Sequence, residues 1–353
     1  MGIERLPGQN PAAIVTDVES EALIESVARR AAGKDAGVFG PESLTWRINR
    51  ESALFLGSAR AALLQVAHPW VAAALVDHSK VLDQPIRRFH NTFRVVFTLV
   101  FGGLDQALNA ARHLHALHNR IRGRMPEDVA GYRSGSGYEA NELAALRWVF
   151  ATLIETAVMA YECAMPPLTA AERERYYGET KTLAALFGVR PAALPETWDD
   201  FLAYNRAMHE SDALGVSRAG LSIARNLLAG AGSWMRLPHW YLALTTAWMP
   251  ARFREEFELK FGAEERDAAE RALRWLPRIY GRLPGAVRFA GPWHEAQARL
   301  AGRQAGAVAR WSNRFWIGET RMPFGGVAAL LNNSVSPRKN SASRGDSASQ
   351  GTR

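Results

Sequence analysis

Along the chain, apolar positions return every three or four residues, the spacing that lays one stripe along an α-helix. Alternating β-branched runs, which would build strands, are scarce. The pattern predicts helices over 19–32, 52–67, 69–77, 84–100, 104–122, 139–163, 170–186, 198–210, 217–228 and 263–280. The punctuation agrees. Pro69 suits a first helical position, where its missing N–H costs nothing, Gly102, Gly103 and Gly188 provide stops, and Thr169 with Glu172 makes a capping box. The fold class is therefore all-α, a single large multi-helix domain over 19–331. Residues 1–18 read as an irregular lead-in, and 332–353, rich in Ser, Arg, Asn and Gly, as a disordered basic tail.

Composition narrows the function classes. Of 353 residues, 48% are hydrophobic, ample for a sizeable core. The net charge is +8, which raises the question of anionic partners. Yet lysines are few and the arginines are interspersed with acids, with no concentrated basic helix face, so nucleic acid is not an expected partner. Cys163 is the only cysteine, which excludes an intrachain disulfide, a thiolate zinc site and covalent haem attachment. No segment has the form of a secretion signal, and the longest apolar run, Val95 to Leu104, is short of a membrane span. The expected location is the cytoplasm, with peripheral membrane contact left open.

Several common chemistries are absent from the letters: no His-Glu-x-x-His, no Gly-x-Ser-x-Gly, no P-loop. No Glu is followed three residues later by His, so the usual di-iron bundle motif is missing too. Three constellations remain. In the first, helical spacing puts Ala111, Leu114, His118 and Ile121 on one stripe, so His118 points at an apolar interior. Such an imidazole is either a satisfied core residue or a ligand offering one nitrogen to iron. His113 and His115 lie on more polar faces. In the second, Arg88 and Thr92 share a helix face that continues into Val95, Val96 and Leu99. An arginine there needs an anion, either a core carboxylate or a ligand such as a haem propionate. The third runs from Gly57 to Pro69. Its small residues admit a close neighbour, helix or flat cofactor, while Gln65 and His68 either brace the kink before Pro69 or line a pocket.

These residues resemble a known family. Gly57-x-x-Arg-Ala-x-Leu-Leu-Gln-x-Ala-His-Pro69 is followed by His78-Ser79, Arg88 with Thr92, Val100-Phe101-Gly102 and His118-x-x-Ile-Arg-Gly123. Tyr138-x-Ala140, Trp148 to Leu153, Ala160-Tyr161, Tyr176-Tyr177, Gly188-Val189 and Leu194-Pro195 come after in order. The ordered set, over roughly 45–290, is similar to the rubber oxygenases (latex-clearing proteins) and MpaB-type oxygenases. The resemblance implies an all-helical, somewhat globin-like fold with haem b (iron protoporphyrin IX) between helices and dioxygen as co-substrate. It also implies oxidative C=C cleavage of a lipophilic, isoprenoid-type substrate. It implies His118 as the iron ligand and Arg88 and Thr92 as catalytic-pocket residues that also touch the cofactor. Gln65 and His68 come with them as cofactor-site candidates. Two positions depart from the pattern: Phe150 stands where members often carry His, and Asn91 where the rubber-cleaving branch commonly carries Lys. Polyisoprene is therefore a doubtful substrate. The expectation is a haem-dependent oxygenase, with apolar walls such as Leu64, Val96 and Leu99. The alternatives are a haem or lipophile carrier or sensor without turnover, and a helical regulator binding acidic partners.

Overall fold

A computed structural model describes residues 13–79, 85–230 and 236–323. It is all-α, with sixteen helices among the described residues. The first six are α1 (Asp17–Ala28), α2 (Leu44–Asn49), α3 (Ser58–Val66), α4 (Pro69–His78), α5 (Pro85–Phe101) and α6 (Leu104–His118). A short hairpin, β1 (Arg122–Arg124) and β2 (Gly137–Glu139), separates these from α7 (Leu143–Ala164) and α8 (Ala170–Leu186). Then come α9 (Trp198–Glu210), α10 (Arg218–Leu228), α11 (His239–Trp248), α12 (Ala251–Glu256) and α13 (Ala263–Tyr280). The last three are α14 (Gly285–Arg288), α15 (Gly291–Leu300) and α16 (Ala307–Ile317).

Local chemistry sets the boundaries. Thr169 caps α8 through the Glu172 N–H while the Glu172 carboxylate accepts from the Thr169 N–H, the reciprocal box read from the sequence. Thr16 and Glu19 do the same for α1, which therefore begins inside the supposed irregular lead-in. Pro69 opens α4 as expected. The helix expected over 52–67 divides into a 3-10 segment, Ser52–Gly57, and α3. The helix expected over 104–122 stops at His118, with Asn119 as C-cap. The remainder enters the hairpin, where Arg122 pairs antiparallel with Glu139. A Cβ at Gly123 would lie 2.4 Å from the Tyr138 hydroxyl, so the strand there requires glycine. For the same reason α7 begins at Leu143, not at 139. Helices α2, α11, α12 and α14–α16 have no counterpart among the expected elements. The tail over 332–353 lies outside the described residues.

Helix α7 is the axis of the molecule. Its Trp148 indole donates to the Leu64 carbonyl of α3 at 2.9 Å, fixing those two helices in register. With 22 residues it is long and apolar enough to cross a membrane, contrary to the sequence expectation, and 67% of its most apolar stretch is buried inside the fold. Gly57 supplies the close approach anticipated for a helix or a cofactor, and a helix takes it. A Cβ on Gly57 would lie 2.4 Å from Thr156 Cγ2 of α7. Arg60, 3% exposed, completes the joint: its guanidinium donates to Glu155 at 2.7 Å, to the Thr156 hydroxyl at 2.5 Å and to the Trp248 carbonyl at 3.0 Å. The outer face of α5 is held by Arg94, whose guanidinium donates to the Ile317 carbonyl of α16 at 2.6 Å. That contact leaves the other face of α5 turned inward.

Candidate active site

The inward faces of α4, α5, α6 and α7 enclose one cavity of about 220 Å³, open to the surface on one side. This is below the roughly 300–1,000 Å³ of typical small-molecule sites. Helical periodicity builds each wall. From α5 come Arg88, Asn91, Thr92, Val95 and Val96, spaced as one face of a helix. Helix α7 adds Ala145, Leu146, Val149 and Leu153, another single face. Leu114, Leu117 and His118 close the end from α6, and Trp70, Ala74 and His78 come from α4.

His118 is the last residue of α6, half-buried, and lines this cavity. Burial first, and the charge of Arg88 second, push its pKa down to about 4, so near pH 7 the imidazole is neutral. The stripe read from the sequence holds, although Ile121 reaches the cavity from beyond the helix end. His78 also lines the cavity, but its Nε2 already bonds the Arg122 carbonyl at 3.0 Å. His115 lies outside the lining and bonds Asp17 at 2.9 Å.

Arg88 lines the same cavity and is exposed. Surrounding protein strips the guanidinium of water and lowers its pKa from the ordinary value, yet an arginine stays charged. No carboxylate pairs with it among the described residues, and none lines the cavity there. The alternative of a core acid as its partner is thus not met among the described residues. Arg87 lines the wall beside it. Thr92 lines the cavity too, with its hydroxyl donating to the Arg88 carbonyl at 3.0 Å.

Gln65 reaches the cavity edge and donates to the Thr152 hydroxyl at 3.1 Å. His68 does not line the cavity. It is 3% exposed, with Nε2 3.1 Å from the Tyr132 hydroxyl and its ring edge-on to Trp70. Burial pushes its pKa down to about 3, and the bracing reading before Pro69 suits this placement better than a pocket role. Of the three expected walls, Val96 lines the cavity whereas Leu64 and Leu99 are fully buried behind it. Phe150 is likewise a core residue, 1% exposed and outside the lining. The sequence reading missed Trp70, Arg87 and the α7 face. The α7 stripe was visible as Ala145, Val149 and Leu153, but nothing local says which other stripe it faces.

Residues 45–282 match the family model for the catalytic domain of ER-bound oxygenase mpaB/B' and rubber oxygenase. The chain belongs to this family. The match spans every wall of the cavity, from Gln65 on α3 to Phe187 after α8, so the cavity lies within the MpaB and rubber oxygenase catalytic domain. Neither the curated proteins nor the solved structures offer a match. An oxygenase-type catalytic domain therefore has one cavity in which neutral imidazole, unpaired guanidinium and apolar walls meet.

Proposed function

We propose that this chain is a haem-b-dependent oxygenase that uses dioxygen on a lipophilic, isoprenoid-type substrate by oxidative C=C cleavage. The observation that carries the reading is a neutral His118 beside a cavity edge where, among the described residues, Arg88 has no carboxylate partner. The donor set suits haem b. An uncharged imidazole is the form that ligates iron, a guanidinium is the natural partner of a propionate, and apolar side chains accept the rest of the macrocycle. His118 would hold the iron and Arg88 a propionate. When bound, haem b would supply the binding and activation of dioxygen. The protein's residues do the remainder: Val95, Val96, Val149 and Leu153 exclude water and receive an apolar substrate, and Thr92 ties its hydroxyl to the α5 backbone.

Asn91 bears on the substrate class. It lines the cavity, 7% exposed, and its Oδ1 accepts from Arg94 at 3.3 Å. A neutral amide engaged in this way offers no mobile cation, in keeping with a small lipophile in preference to a rubber polymer.

An absorption spectrum with pyridine haemochrome analysis tests the cofactor. A Soret band and haem b are expected, with loss of haem in His118→Ala; full haem content in that variant rejects the ligand. Oxygen uptake by the reduced protein, with and without an alkene-bearing lipophile, tests turnover, since a carrier or sensor shows no substrate-dependent uptake.

A further inference from the structure

Beside His118, on the side away from the cavity walls, runs a chain of side-chain hydrogen bonds that ends at the surface. The exposed Asp17 carboxylate accepts from Asn119 Nδ2 at 2.6 Å. Asn119 Oδ1 accepts from Asn141 Nδ2 at 2.7 Å, and that same amide nitrogen also reaches the His115 carbonyl at 3.3 Å. Asn141 is 2% exposed.

The orientation of both amides follows from one end. An ionised carboxylate can only accept, and Asn119 and His115 hold the Asp17 pKa below its usual value. The Asn119 amide must therefore turn its NH2 to Asp17, which leaves its oxygen for Asn141. Asn141 must turn its own NH2 toward two acceptors, the Asn119 oxygen and the His115 carbonyl. Its Oδ1 is then left over: buried, and meeting no partner in good hydrogen-bond geometry. The Asn141 side chain neighbours the His118 ring, whose pKa it raises against the larger effects of burial and Arg88. A raised pKa is what an acceptor beside a ring N–H produces.

We infer that Asn141 is the positioning residue of His118, its Oδ1 holding the proton on Nδ1 so that the Nε2 lone pair is presented to the cavity. The Asn141 amide bonds the α6 backbone one turn before His118 and so lies alongside the helix that carries the ring. Asp17 and Asn119 serve as the anchor that prevents the amide from turning over. A metal-binding imidazole whose other nitrogen donates to a fixed acceptor is held in both tautomer and ring angle. The metal-binding consequence rests on the proposed haem site; the tautomer does not.

Two measurements test it. In the haem-free chain, 15N NMR of the His118 imidazole should report one tautomer, protonated on Nδ1. Asn141→Leu should convert it to a mixture or to the Nε2 form, with a partial loss in Asp17→Asn, whose exposed site leaves the fold intact. A wild-type ring protonated on Nε2 overturns the proposal, whatever becomes of the haem. In the haem-loaded chain, Asn141→Asp strengthens the acceptor and should lower the reduction potential and raise the iron–histidine stretching frequency. Asn141→Leu removes the acceptor and should shift both the other way. A merely structural Asn141 moves the two variants in the same direction or in neither, and that result also overturns the assignment.

Discussion

The charge of Arg88 on α5 lowers the pKa of His118 at the end of α6, across the cavity they share. Each residue makes the other more useful. Burial first and the guanidinium second keep the imidazole unprotonated, and so able to donate a lone pair, while the guanidinium has no carboxylate partner among the described residues. A dianionic ligand with an apolar body fits both needs at once.

Replacing Arg88 separates ligand binding from folding. Arg88→Leu removes an exposed cation that has no carboxylate partner among the described residues, so the haem-free chain should be about as stable as wild type. The lost charge-assisted hydrogen bond, worth about 1.5–3 kcal/mol, should speed haem loss roughly 10- to 100-fold. Arg88→Lys should fall between, since an ammonium attracts a carboxylate without the bidentate fork. Denaturant titration and haem-transfer rates check the two halves. A variant that unfolds readily yet keeps its haem contradicts both.

The helical class, the long helices and the shared inward placement of His118 and Arg88 were legible from periodicity. The exact spans of α8, α9 and α13 followed from apolar spacing and from caps such as Thr169. His118 and Arg88 stood out because each places a polar head on an apolar stripe. What local pattern could not supply is pairing. Leu99 lies on the same helix as Val96 yet faces the core, because α5 is covered on one side by the cavity and on the others by packed helices. His68 stayed open between bracing the kink and lining a pocket because the sequence does not show that Tyr132, on a distant loop, comes to meet it. The shortfall at 119–122 has a similar origin: the apolar stripe runs through Ile121, but pairing with Gly137–Glu139 draws the chain out of the helix. Asn141 carried no signal at all, since its meaning lies in Asp17 and Asn119.

The Gly57 and Arg60 positions of the family pattern should behave as structural. Gly57→Ala drives a methyl into Thr156, and such overpacking costs about 1–3 kcal/mol. Arg60→Met leaves Glu155 without its partner, and breaking a buried pair in this way costs about 3–5 kcal/mol. Both variants should lower the unfolding midpoint, and any properly folded fraction should keep the wild-type haem stoichiometry. Loss of haem from folded Gly57→Ala would instead argue that the close approach serves the cofactor.

Filling the cavity tests where the substrate sits. Val149→Phe adds bulk from α7 into a space of about 220 Å³. The expected result is substrate-dependent oxygen uptake reduced at least tenfold with the denaturation midpoint little changed, because the ring enters an opening and not a packed core. Phe150→Trp, one residue along but facing the core, should do the reverse and lower stability with little effect on the pocket. Equal uptake by Val149→Phe and wild type would place the substrate elsewhere.

Stability at acid pH should report on His68. Its folded pKa lies near 3, while an unfolded histidine titrates near 6.5. Above pH 6.5 both states hold the ring neutral, and His68 adds no pH dependence. Between about pH 6 and pH 4 the unfolded chain takes up a proton that the buried ring refuses, so stability falls as pH falls. The slope from this one group is about 1.4 kcal/mol per pH unit. His209, pushed down to about 4 by burial, acts in the same direction over the upper part of that window. His68→Gln keeps a side chain able to meet Tyr132 but cannot take up the proton, so it should reduce the pH slope by about 1.4 kcal/mol per unit between pH 6 and 4. Denaturant midpoints across that range provide the measurement. Identical slopes for wild type and His68→Gln would mean that the ring is charged in the folded chain.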